Sequence, residues 1–83
     1  MIDTYLKSTD ASAFNNIRDF AINVIGPVQG RAESIDARGQ IVKAAGDPAY
    51  FYCCVRAPFP VPAFGSIELC SVEEGSSVVG VWA

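Results

Sequence analysis

Three cysteines and one pair of adjacent glutamates are the residues whose chemistry could reach beyond packing in this chain. Cys53 and Cys54 stand side by side in "AYFYCCVRA", and Cys70 follows in "SIELCSV". Neighbours on a strand point to opposite faces, so Cys53 and Cys54 should not bond to each other, while either could meet Cys70 across a sheet. They form no CxxC motif and lack the loop-to-helix setting that lowers a thiol pKa. Buried free thiols that pack as small apolar residues are therefore expected. Glu73 and Glu74 sit beside Gly75 and two serines, which reads as a solvated loop without the oxygen-ligand series of a calcium site. There is no histidine, which removes the usual general base, triad and zinc arrangements. "GPVQGRA" spaces two glycines after a predicted helix, the reverse of a phosphate loop, and has no lysine. Tyr50, Tyr52, Arg56 and Glu68 are too few to define a pocket. The expectation is no enzyme, no catalytic residue, no cofactor and no metal.

The elements around these residues must come from 83 residues, enough for a single domain over 1–83. So short a chain buries only about 60% of its extended surface. Yet 51% of its residues are hydrophobic and 18% charged. That is more apolar surface than a small interior can hide, so part of it should lie in an interface, with self-association or docking on a larger body. The net charge is −3, and Lys7, Arg18, Arg31, Arg38, Lys43 and Arg56 are scattered singly. No cluster could neutralise several phosphates together, so nucleic acid is not an expected partner. "MIDTYLKSTD" carries no signal-peptide pattern, and no apolar run approaches the roughly 20 residues of a membrane span. A cytosolic protein or an assembly component made in a cytosol is expected.

The predicted fold is α+β: a single antiparallel sheet of five to six strands with one N-terminal helix, about 10–22, packed on one face. "IDTYLK" alternates and reads as a strand. Asp10 or Thr9 would cap the helix, and Phe14, Ile17, Phe20 and Ala21 would face the sheet. "IGP" at 25–27 would end it. Strands at 31–36 and 39–45 would flank a type I turn, Asp36 to Gly39. "AYFYCCVRA" hardly alternates, so it should be a central strand covered on both faces, one of them by a second layer or a partner. Strands at 66–72 and 77–83 would close the chain as a second hairpin.

"PFPVP" carries prolines at 58, 60 and 62 that cannot donate to a ladder, so this piece should be a stiff connector. The PxxP ligand spacing is absent. Phe59, Val61 and Phe64 beside it are the expected contact patch, joined by Val79, Val81 and Trp82 of the C-terminal strand, which must pair inside a sheet or across a subunit boundary.

"DTYLKSTDASAF", then "VIGP", a turn-tipped hairpin and "GDPAYFYCCVRA", resembles small proteins of tailed bacteriophages and prophages encoded near tail and tail-fibre genes. The likeness spans residues 3–57 and stops at Pro58. It implies a virion-associated structural or tail-region protein, located in the virion or the host cytoplasm. Its partners would be copies of itself or other phage structural proteins. The alternative is a small phage-encoded regulator or inhibitor that binds a single host protein. The resemblance carries over no catalytic residue.

Overall fold

The computed structural model describes residues 1–19, 21–31, 34–42 and 46–80. Its frame is one antiparallel sheet of four strands in the order β2-β5-β1-β6, formed by β1 (Ile2–Ser8), β2 (Asn23–Gln29), β5 (Phe51–Ala57) and β6 (Glu68–Leu69). A separate ribbon pairs β3 (Ser34–Ile35) with β4 (Ile41–Val42). The α+β class and the antiparallel sheet agree with the sequence expectation. The single sheet of five to six strands does not, because the ribbon stands apart from the main sheet.

The aromatic strand is central. β5 pairs with β1 from Phe51↔Ser8 to Ala57↔Ile2, and with β2 on its other side. Directly opposed residues share a face. Leu6, Cys53, Val55 and Ala57 therefore look one way, where Phe14, Ile17, Val61 and Ile67 bury them in the main apolar cluster. Tyr5, Tyr52 and Cys54 look the other way and are buried as well. That second face is covered by α1 (Val72–Val79), which packs over β1, β2 and β5. A strand covered on both faces has no exposed side on which to place polar residues, which accounts for the missing alternation. The second layer is supplied by the chain itself.

That helix corrects the expected closing hairpin. Residues 72–79 are helical, and only Glu68–Leu69 of the predicted 66–72 strand is extended. The local reason is an N-cap at Ser71 followed by two acidic residues. Ser71 Oγ accepts from the Glu74 amide at 3.1 Å, and both glutamates lie in the first turn, where the helix dipole favours negative charge. Val81 and Trp82, expected to extend a terminal strand, lie outside the described residues.

The N-terminal helix expected over 10–22 is also corrected. The segment forms two short 3-10 turns, Ala11–Phe14 and Ile17–Asp19. Asp10 caps the first as expected, accepting from Ser12 N at 3.0 Å. Asn15 and Asn16 then interrupt it, since their side chains compete with helical hydrogen bonding. Phe14 and Ile17 still reach the core and Ala21 packs against it, whereas Phe20 lies outside the described residues.

"IGP" belongs to β2 instead of ending a helix. Asn23, Val24 and Ile25 pair with β5, the register slips, and pairing resumes at Val28. Gly26 (φ +105) and Pro27, joined by a cis peptide, occupy the slip. Pro27 lacks an amide hydrogen, which an edge strand tolerates. The Asp36–Gly39 turn is as expected: Asp36 Oδ1 accepts from the amides of Arg38 (2.8 Å) and Gln40 (2.9 Å), and Gly39 takes φ +80. Of the predicted strands 31–36 and 39–45, Ser34–Ile35 and Ile41–Val42 are extended and paired; residues 32, 33 and 43–45 lie outside the described residues.

α1 lies on the sheet through Gly75, which is buried directly over Tyr5; a Cβ there would overlap the tyrosine side chain. Alanine favours a helix interior by about 1 kcal/mol over glycine, whereas overpacking costs about 1–3 kcal/mol. Gly75→Ala should accordingly lower stability by about 1 kcal/mol in urea unfolding, against little change for exposed Ser77→Ala. A stabilised Gly75→Ala protein would mean that α1 does not seat on Tyr5.

Candidate functional site

Two regions gather the residues singled out by the sequence: the proline connector and a polar cluster at the junction of β1, β6 and α1. The connector leaves β5 at Ala57 and crosses the main apolar face. Val61 anchors it. Its side chain is 2% exposed within the core cluster, and its amide donates to Thr4 Oγ1 at 3.2 Å. The expectation of an exposed Val61 is thus corrected: proline at 60 and 62 alternates outward, so 61 turns inward. Phe59 and Phe64 do stand out, at 45% and 41% exposure. With Val61 and Pro62 they line an open groove of about 370 Å³, to which no polar side chain among the described residues contributes. Val79 is only half-buried on α1 and is not part of this groove.

The polar cluster was not legible as a unit. Lys7 Nζ lies 3.2 Å from Glu74 Oε2 and 4.8 Å from the centre of the Tyr50 ring. Cys70 Sγ donates to the same carboxylate oxygen at 3.0 Å. Glu68 stands opposite Lys7 in the β1–β6 ladder, and its charge raises the Tyr50 pKa. Of the four polar residues read from the sequence, Tyr50 and Glu68 come together here. Tyr52 is buried, its hydroxyl accepting from Asp47 N at 3.0 Å. Arg56 instead binds Asp3 through two nitrogens, at 2.8 and 3.1 Å. Lys7 lies on β1, Cys70 just after β6 and Glu74 on α1, and no spacing in the sequence joins the three.

The chemistry of this cluster is restrained. Burial pushes the Cys70 thiol up to about 12, and the neighbouring carboxylate adds to the shift. Cys53, deeper in the sheet, is also pushed up to about 12, chiefly by burial. None of the three cysteines is in a disulfide. A thiol held protonated is a poor nucleophile, so the arrangement ties α1 to the sheet and does not activate a group. Among the described residues there is no grouping of three or more metal-ligating side chains. No helix among them is long and apolar enough to cross a membrane.

Glu74 titrates below its ordinary value of 4.5 because the Cys70 thiol and Lys7 both hydrogen-bond its carboxylate. A depressed acid stabilises the fold above its unfolded pKa and loses that contribution as the pH falls through the folded one. The tether should therefore weaken only below about pH 4.5, modestly, because the pair is partly solvated. Glu74→Gln should speed Cys70 labelling at pH 8.5 by roughly threefold or more, since a smaller pKa exposes more thiolate. Lys7→Gln removes a positive charge that lowers the Cys70 pKa and should slow labelling. Faster labelling in both variants would show that a loosened helix controls access, and would overturn the electrostatic account.

Comparison with protein families, with curated proteins and with solved structures found no match to this chain.

Proposed function

We propose that this chain is a non-enzymatic structural module of a phage or prophage virion, acting in its tail region and assembling first of all on copies of itself. The observation that carries the reading is the aromatic rim of Phe59 and Phe64. Two large apolar side chains stand on a connector whose prolines fix the backbone and whose Val61 is locked into the core. Such an element loses little conformational entropy on docking, and exposed aromatics of this kind are the usual anchors of an interface. The groove between them carries no charge, so two copies of a protein of net charge −3 can meet there without opposing like charges.

The sheet edges offer less. β2 carries Pro27 and a register slip at one edge, and β6 has two residues at the other, both ways in which sheets avoid edge pairing. Assembly is therefore assigned to side chains and not to strand addition. The phage setting rests on the sequence resemblance over residues 3–57, and the location would be the virion or the host cytoplasm. A second reading, a small regulator that takes one anchor side chain from a single host protein, is favoured by the size of the groove, which holds little more than one such group.

The double change Phe59→Ala, Phe64→Ala should lower self-association by a factor of roughly 30 or more, as expected of hot-spot aromatics, while the circular-dichroism spectrum and unfolding midpoint stay close to those of the parent. Light scattering coupled to size exclusion reads the first, thermal unfolding the second. An unfolded double variant with unchanged assembly would place these rings in the core. A parent that is monomeric at high concentration yet binds one target would favour the regulator.

A further inference from the structure

At the edge of the main apolar cluster, the second 3-10 turn lies against edge strand β2. Two clefts open there, of about 200 and 290 Å³, and both are lined by Arg18 and Val24. Arg18, on the second turn, is exposed and common to both clefts. Its charge is felt by the Cys53 thiol, which it draws down against the effect of burial. Lys7 and Arg56 are each paired with a carboxylate. Among the described residues, Arg18 makes no ion pair. Phe14, Val24 and Asn15 line the first cleft, and Ala21, Ile22 and Val24 line the second.

We infer that this groove is a binding site for a carboxylate carried on a short apolar body. A guanidinium presents parallel N–H donors that match the two oxygens of a carboxylate. The Asn15 amide at the first cleft can donate to either oxygen or accept from a neighbouring peptide N–H. Exposed Ile22 and half-buried Val24 beside the cation give an apolar group of the ligand a surface to cover. A phosphate dianion fits less well, because a single arginine on a chain of net charge −3 leaves much of its charge uncompensated. The carboxylate could be that of a free short-chain acid or the C-terminus of an extended peptide, which share this chemistry. The site lies apart from the Phe59 rim and does not depend on the proposed assembly.

The test is an amide-resolved NMR titration of the full chain with three probes: sodium hexanoate, acetyl-Leu-Ala with a free C-terminus, and its C-terminal amide, with inorganic phosphate as reference. The expected result is saturable shifts at residues 15, 18 and 22–26, with a dissociation constant of about 1–10 mM, the range of one exposed charge-assisted contact. Hexanoate and the free-acid peptide should both bind, and the amide should bind at least about tenfold more weakly; tighter binding of the peptide would identify a chain terminus as the source. Arg18→Gln should weaken hexanoate binding at least about tenfold, and Arg18→Lys less, because it keeps the charge and loses the fork. Preserved spectral dispersion in both variants would show that the fold is intact; if Arg18→Gln unfolds, Arg18→Lys alone decides. No saturable shift at these residues, equal binding of acid and amide, phosphate binding as tightly as hexanoate, or an unchanged affinity in the folded variants would each overturn the site.

Discussion

The close approach of Gly75 to Tyr5 is the contact on which the rest of the structure depends. β5 is apolar on both faces, and a sheet strand of that kind is stable only when both faces are covered. The N-terminal turns and the proline connector cover one. The other is closed by a helix of only two turns, which can lie low over the tyrosine because position 75 has no side chain. The Tyr5 hydroxyl donates to the Gly80 carbonyl at 2.9 Å, so the same residue also holds the C-terminal end of the helix. Burial and hydrogen bonding both raise the cost of lifting α1, because a lifted helix would leave Tyr5, Tyr52 and Cys54 in water.

The polar cluster follows from that seating. Once α1 lies on β1, Glu74 reaches Lys7, and Cys70 at the end of β6 donates to the same oxygen. Glu74 serves twice, as donor to the Ser71 cap through its backbone amide and as the acceptor that joins helix, sheet and loop through its carboxylate. The thiol beside it is held protonated, so what resembled potential chemistry in the sequence is a fastening. The opposite face finishes differently. There the connector drives Val61 into the core and leaves Phe59 and Phe64 outside, because alternation along an extended backbone cannot bury all three at once. An 83-residue chain has too little interior for every large apolar group, and part of the surplus, Phe59 and Phe64, lies on its stiffest segment.

Several features were decided by local residue chemistry alone. The β1 alternation, the two-faced apolar run of β5, the Asp36–Gly39 turn and the Asp10 cap each depend on residues within a few positions of one another, and each was legible in the chain. Burial of Cys53 and Cys54 followed from their place in a central strand. The C-terminal helix was written locally too, as Ser71 to Glu74, but valines at 78 and 79 give a strand preference that competes with the capping signal over so short a segment.

Other features needed the tertiary structure, because they set elements distant in sequence against one another. Whether 10–22 would continue as one helix or break at Asn15 and Asn16 depended on how Phe14 and Ile17 met the sheet. "IGP" became strand because β5 offered Val24, Ile25 and Val28 a ladder to join. The polar cluster unites positions 7, 50, 68, 70 and 74, and the Arg18 groove unites the N-terminal turns with β2; no spacing rule connects such positions. Sequence by itself determined which segments were apolar, stiff or turn-forming, since those are properties of neighbouring residues. Only the folded chain decided which apolar surfaces found a cover, because burial belongs to pairs of surfaces and not to any single segment.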